Sequence, residues 1–121
     1  MRDIEFRGKD ANGSWVYGDV HFGKDNLRAH IHPTKGSNMS IEVDPETVGQ
    51  YTGLKDKNGV KIYEGDQTTS LDRDGHVVTS TVEWDDVWLG WYPFCVPINY
   101  EEVLLDLNFV EVIGNIHGGL I

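Results

Sequence analysis

The stretch Val43–Asp66, VDPETVGQYTGLKDKNGVKIYEGD, places turn residues between short apolar runs. At its centre, Asp56 is followed two residues later by Asn58 and then by Gly59. An Asp side chain can hydrogen-bond the backbone two residues further on, and glycine accepts the left-handed conformation that closes a tight turn. The segment LKDKNGVKI is therefore predicted to be a strand reversal, which makes the whole stretch a corner of a small β fold.

The same spacing occurs twice more, at Asp10–Gly13 and Asp72–Gly75, and predicts two further turns. A calcium-binding loop is the alternative, because Asp-x-Asn or Asp-x-Asp also opens an EF-hand loop. That loop needs glycine at its sixth position and a bidentate Glu at its twelfth. All three copies have glycine at the fourth position, so hairpin turns are the preferred interpretation.

Apolar and polar residues alternate along most of the chain, which is the period of a β-strand. The predicted strands lie in DIEFRG, SWVYGDVHF, LRAHIH, MSIEV, DQTTSL, HVVTSTVEW, VWLGWYPF and FVEVIGNIH. In the first half of the chain, the apolar faces of three successive predicted strands comprise Val16, Val20 and Phe22, then Leu27, Ala29 and Ile31, then Met39, Ile41 and Val43. Only NYEEVLLDL, residues 99–107, suits one or two helical turns. The fold class is therefore mainly β, with little helix.

Three blocks distributed along the chain, Arg2–Arg7, Thr47–Asp66 and Glu111–Ile116, share a recognisable pattern. They read R-x-I-x-F-R, then TVGQYTGLKDKNG followed by I-Y-E-G-D, and finally E-V-I-G-N-I. This pattern resembles the YopX family of proteins encoded by bacteriophages and prophages. Gln67 and Thr68 stand where that family usually has a valine-like residue, which affects how the first barrel strand pairs.

The resemblance implies an all-β chain of two parts that pack together. Residues 1–52 form N-terminal β-hairpins and strands, and residues 53–121 form a C-terminal SH3-like small β-barrel. Gly65, Gly75, Gly90 and Gly114 lie where a curved sheet needs bends or close backbone approaches. The resemblance implies little about mechanism, because small barrels serve many unrelated tasks.

Composition favours a globular protein in the cytoplasm of a bacterial host. The apolar fraction is 39%, the charged fraction is 25%, and no apolar run is long enough to span a membrane. The charged start, MRDIEFRGKD, is not typical of a signal peptide. Cys95 is the single cysteine, which excludes an intrachain disulfide and fits a reducing compartment.

The net charge of −10 is concentrated in one part of the chain. Residues 1–73 contain all ten Lys and Arg and twelve Asp and Glu, whereas residues 74–121 contain eight Asp and Glu and no Lys or Arg. Nucleic-acid phosphates are bound by Lys and Arg, so we expect no direct nucleic-acid binding through residues 74–121. Two interpretations remain: a solvated acidic surface, or an acidic face for a basic partner.

No established catalytic motif for phosphate, dinucleotide, acyl or zinc-protease chemistry is present, so we expect a non-enzymatic protein without a cofactor. Three weaker signals remain as alternatives. His30 and His32 alternate onto one strand face and could bind a metal with a third ligand from elsewhere. Cys95 and His117 could form a nucleophile and its base, but Cys95 lies among apolar residues and is expected to be a buried small hydrophobe. The acidic cluster at Glu83–Asp86 is expected to face water.

An aromatic cluster is the strongest candidate for a binding site. It comprises Trp84, Trp88, Trp91, Tyr92 and Phe94. On an SH3-like barrel, exposed aromatic side chains can bind proline-rich peptides. The preferred interpretation is that alternate members of the cluster fill the core, while the remaining members pack against the N-terminal strands or a second subunit. The preferred function is that of a non-enzymatic protein-binding or self-assembling accessory protein. The expected partner is a second copy of the chain, in a homo-oligomer, or a host or phage protein. The alternatives are an acidic modulator of a basic host nucleic-acid-binding protein and a metal-dependent enzyme.

Overall fold

The computed structural model describes residues 4–25, 27–33, 39–72, 74–95 and 106–118. Within these ranges the chain is mainly β, with eleven strands and two short 3₁₀ turns, Pro45–Thr47 and Leu107–Phe109. The mainly β class predicted from the sequence is confirmed. Among these residues no helix has the length and apolar character needed to cross a membrane. The chain divides into two compact units, Met1–Tyr51 and Thr52–Ile121.

The first unit is an antiparallel sheet. Its strands are β1 (Phe6–Lys9), β2 (Trp15–Phe22), β3 (Ala29–Pro33), β4 (Ile41–Val43) and β5 (Gly49–Lys55), the last of which continues into the second unit. They are hydrogen-bonded in the order β4-β3-β2-β1-β5. Neighbouring strands in this part of the sheet are mostly consecutive in sequence, because each short turn returns the chain beside the strand it has just left.

Strand alternation explains the core of the first unit. Val16, Ala29, Ile31 and Val43 are buried on one face, and Asp19, His21, His30 and His32, which alternate with the inward positions of β2 and β3, lie on the other face. Three residues assigned to apolar strand faces from the sequence, Phe22, Leu27 and Met39, have exposed side chains and do not belong to this core. Leu27 and Met39 precede β3 and β4 and lie outside the paired strands, and Phe22 is the last residue of β2, where it pairs with Ala29.

Gly18 allows β2 and β3 to approach closely. Its φ is +156°, and a Cβ atom at this position would overlap the carbonyl oxygen of His32 and lie 3.1 Å from Cα of Pro33. Both neighbours are backbone atoms, which cannot move aside by changing a rotamer. The pairing of Gly18 with Pro33 and of Asp19 with His32 therefore depends on the missing side chain.

The second unit contains the end of β5 and six further strands. These are β6 (Lys61–Tyr63), β7 (Asp66–Leu71), β8 (Val77–Thr81), β9 (Glu83–Asp85), β10 (Gly90–Tyr92) and β11 (Glu111–Asn115). β6 is hydrogen-bonded to β5, β7 lies between β11 and β8, and β9 pairs with β10. A bulge in β11 shifts its register between Val112 and Gly114. The core contains Ile62, Val82, Phe94, Val110 and Val112.

The sequence predicted longer strands and a closed barrel in this unit. The segment HVVTSTVEW is divided at Val82, whose backbone leaves the β8 pairing and exchanges hydrogen bonds with Gly65 and Asp66. In VWLGWYPF only Gly90–Tyr92 is a strand. Across the described residues the sheets are open, so the SH3-like barrel is not confirmed. Most of the predicted helical segment, residues 99–105, lies outside the described residues.

The three predicted turns are confirmed, and they share one arrangement. In each, an Asp Oδ1 atom accepts hydrogen bonds from the N–H groups two and four residues later. Asp10 accepts from Asn12 and Ser14, Asp56 from Asn58 and Val60, and Asp72 from Asp74 and His76, at 2.8–2.9 Å. The carboxylate thus satisfies the backbone groups that a tight turn leaves unpaired.

Two buried carboxylates connect distant parts of the second unit. Oδ2 of Asp56 accepts from the N–H of Val112 at 2.9 Å, so this turn also holds β11. Asp66 accepts from the N–H of Tyr63 at 2.8 Å and from Nδ2 of Asn115 at 3.2 Å. Buried carboxylates are stable when several donors surround them. These bonds join the central and closing sequence blocks, which gives both blocks a structural role.

Candidate interaction surface

β9 and β10 form a short hairpin that carries most of the predicted aromatic cluster. Glu83 pairs with Tyr92, Trp84 with Trp91, and Asp85 with Gly90. At the turn, Oδ1 of Asp85 accepts from the N–H groups of Val87 at 2.8 Å and Trp88 at 3.0 Å. The Asp85 side chain therefore fixes the first part of the loop.

The aromatic side chains divide between the core and the surface. Phe94 is buried in the core of the second unit, and Trp91 is partly buried against that core. Trp84 packs edge-on against Trp91, with ring centroids 5.4 Å apart and planes at 81°, a favourable aromatic geometry. Trp84, Trp88 and Tyr92 are exposed. Of the five predicted site residues, these three are available to a partner and Phe94 is not.

The structure adds two residues that the sequence analysis missed. Val87 and Leu89 flank Trp88 in the turn, and their exposed fractions are 84% and 74%, against 48% for Trp88. We call Val87–Leu89 the hairpin tip. Leu89 has a φ of +54°, which is unfavourable for a bulky side chain. The signal was the apolar run directly after Asp85-Asp86, where a surface turn is usually polar.

Acidic residues precede the hairpin tip. Glu83, Asp85 and Asp86 lie on the hairpin, and residues 74–121 contain no Lys or Arg. Desolvation by burial, with a smaller contribution from the charge of Asp85, raises the pKa of the Cys95 thiol. Cys95 itself is partly buried. The region combines exposed apolar side chains with an excess of negative charge.

The raised pKa predicts slow chemistry at Cys95. A higher pKa leaves less thiolate at neutral pH, and the thiolate is the reactive form. We expect a thiol-specific reagent to modify native Cys95 more slowly than the same thiol in denaturant, with the native rate rising as pH approaches the raised pKa. Asp85→Asn removes the negative charge that helps to raise the pKa of Cys95, so it should accelerate modification of the thiol in the native protein. A native rate equal to the denatured rate at neutral pH would contradict the prediction.

The other residues noted in the sequence lie elsewhere. His30 is partly buried and His32 is exposed, both on β3 of the first unit. Within the described ranges, one group of three possible metal ligands has ligand atoms within 4.8 Å of one another: Asp72, Asp74 and His76. It lies in the third Asp-x-Asp-Gly turn. Hydrogen bonding from the backbone of His76 is the main cause that lowers the pKa of Asp72.

Comparison with models of protein families tests the family resemblance that the three motif blocks indicated. The family model described as YopX protein matches residues 5–119 of the 121-residue chain. The chain belongs to the YopX family. A comparison with curated proteins finds no match.

In this YopX-family chain, the residues of the family motif blocks and the exposed residues of the β9–β10 hairpin have different roles. Asp56 and Asp66 of the central block, and Val112 and Asn115 of the closing block, form the buried hydrogen bonds of the second unit. The β9–β10 hairpin lies between these blocks in sequence and supplies exposed side chains. In this YopX-family chain the recognisable motifs therefore stabilise the fold, and the candidate surface lies outside them.

Proposed function

We propose that this YopX-family chain is a non-enzymatic binding protein that holds a basic protein partner through the hairpin tip. The observation that carries the proposal is the exposure of three consecutive apolar residues, Val87, Trp88 and Leu89, in one turn. The expected setting is a phage or prophage protein acting in the bacterial cytoplasm. The proposal does not require the SH3-like barrel, which stays a prediction from the resemblance.

The hairpin tip has the composition of a binding loop. A solvent-facing turn is ordinarily polar, and contiguous exposed apolar residues mark interaction sites. Trp is enriched among the residues that contribute most to binding energy. The left-handed backbone at Leu89 costs about 1 to 2 kcal/mol for a residue with a Cβ atom, and such strain concentrates at functional loops. The packing of Trp84 on Trp91 stabilises the two strands that carry the loop.

Charge specifies the kind of partner. Asp85 and Asp86 directly precede the hairpin tip, and Glu83 begins the same strand as Asp85, so a complementary surface has Lys or Arg around an apolar pocket. A nucleic-acid phosphate backbone would be repelled. Two copies of this chain meeting at the tip would bring two acidic surfaces together. A basic protein is therefore the preferred occupant, and a host nucleic-acid-binding protein is one class with such a surface.

The test is a comparison of variants in capture and binding. Tagged chain is used to capture proteins from a bacterial lysate, and recovered basic proteins are then titrated directly. Replacing Val87, Trp88 and Leu89 together with Ser should weaken binding by at least about 30-fold, the equivalent of one interface residue worth about 2 kcal/mol. Phe22→Ser is the matched control, because Phe22 is 49% exposed but lies in the first unit. Binding should also weaken as salt is raised.

Two results would overturn the basic-partner proposal. The first is recovery of the same proteins with equal affinity by the triple-Ser variant and by wild type. The second is a wild-type oligomer in analytical ultracentrifugation that the triple-Ser variant converts to a monomer, with no basic protein captured. That second result would assign the hairpin tip to self-association, the other partner class expected from the sequence.

A further inference from the structure

The strand register of the first unit points to a binding site for a divalent transition-metal ion, Zn²⁺ above all, formed by His21, His30 and His32. The site lies on the polar face of the sheet and is separate from the hairpin tip. Its ligands come from two adjacent strands, β2 and β3. Neither the family match nor the proposed function assigns it.

Pairing between strands brings the three histidines together. His21 on β2 is directly opposite His30 on β3, and directly opposed Cβ atoms are about 4.5 to 5.5 Å apart. His32 is two residues further along β3, so it lies on the same face about 6.6 to 6.8 Å away. His21 and His32 are diagonal neighbours, for which the spacing is about 7 to 8 Å. The three imidazoles thus project from the corners of a small triangle.

Two carboxylates flank this triangle. Asp19 is opposite His32, and Glu42 on β4 is opposite His30. Paired residues share a face, so both acids lie beside the imidazoles. A carboxylate next to a ligating histidine accepts the second ring N–H and fixes the ring orientation, or completes the coordination shell itself. Both acids also make the local potential favourable for a cation.

The ligand chemistry selects the metal. Three imidazoles suit zinc, which takes tetrahedral nitrogen ligands at about 2.0 to 2.1 Å and often keeps a fourth position for water or a carboxylate. Copper and nickel bind the same ligands, while calcium and magnesium prefer oxygen. The expected occupant is therefore a first-row transition ion rather than a hard cation.

The backbone beneath the site is rigid, and the side chains above it can rotate. Ala29 and Ile31, on either side of His30, are fully buried, and Gly18 fixes the close approach of β2 to His32. The imidazoles are not among the groups whose ligand atoms already lie within 4.8 Å. His21 and His32 are exposed and His30 is partly buried, so we expect rotation about their side-chain bonds to bring the ring nitrogens within reach of one ion without moving the strands.

Zinc titration of protein without a histidine tag tests the site. The chain is first treated with a chelator, and Zn²⁺ is then added in a calorimeter. We expect one ion per chain and a rise in melting temperature with zinc. Co²⁺ should give the visible absorption bands of a tetrahedral nitrogen site. His30→Ala should weaken zinc binding by more than the about 10- to 100-fold loss that follows removal of a group hydrogen-bonded to a ligand. His21→Gln, at an exposed position, should do the same.

His76→Ala is the matched control, because it removes the histidine of the Asp72–Asp74–His76 turn in the second unit. That variant should bind zinc as wild type does. Urea unfolding without metal confirms that each variant is folded. The proposal is overturned if the wild-type chain does not bind zinc. It is also overturned if the His30→Ala variant and the His21→Gln variant each bind zinc as tightly as wild type does. Loss of binding in His76→Ala alone would place the ion at the turn and would equally overturn it.

Discussion

Asp56→Ala is expected to lower the free energy of unfolding by about 3 to 5 kcal/mol, whereas Asp10→Ala should cost about 1 kcal/mol or less. Both residues accept two backbone N–H groups in the same kind of turn. Only Asp56 is buried and also accepts from Val112. Its removal leaves a core N–H without an acceptor, while water replaces the exposed bonds of Asp10.

Urea unfolding followed by tryptophan fluorescence is the measurement, because three of the four tryptophans lie in the second unit. Asp56→Asn is an informative intermediate variant. It keeps one carbonyl acceptor and the side-chain shape, so its loss of stability should lie between those of Asp10→Ala and Asp56→Ala. Equal destabilisation by Asp10→Ala and Asp56→Ala would show that the bond to Val112 contributes little.

Gly18→Ala is the second substitution with a large expected effect, about 3 to 5 kcal/mol in the first unit. The new methyl group would overlap the carbonyl oxygen of His32, and the added strain and overpacking each cost about 1 to 3 kcal/mol. Strand β2 would have to separate from β3, since the obstructing atoms are backbone.

Gly53→Ala is the control for Gly18→Ala, and thermal unfolding followed by circular dichroism compares the two. Gly53 has a φ of +86°, and an added Cβ would meet nothing within 4 Å. It should therefore show only the conformational cost, about 1 to 2 kcal/mol. A Gly18→Ala protein as stable as Gly53→Ala would mean that β2 and β3 adjust to the methyl group.

Local sequence patterns predicted the local structure well. Asp56, Asn58 and Gly59 specify a turn by themselves, because the hydrogen bonds involved join residues two to four positions apart. The exact match of DQTTSL to β7 has the same origin, since its alternation is uninterrupted. Errors arose where an apolar residue extends past the paired part of a strand, as at Leu27 and Met39.

Long-range features could not be predicted from one sequence. The bond between Asp56 and Val112 joins residues 56 positions apart, and no local pattern marks a carboxylate for such a role. The position of His21 opposite His30 requires the register of β2 on β3. The exposure of Val87 and Leu89 depends on which side of the hairpin faces the core. Each of these needs the tertiary fold.

The two buried carboxylates have a consequence for how the chain folds during synthesis. Val112 and Asn115, which donate to Asp56 and Asp66, are translated 56 and 49 residues later than their acceptors. The first unit, by contrast, has all its pairing strands once Tyr51 has been made. We therefore expect nascent chains to acquire protease resistance in two stages, with the second unit protected only after Asn115 has left the ribosome.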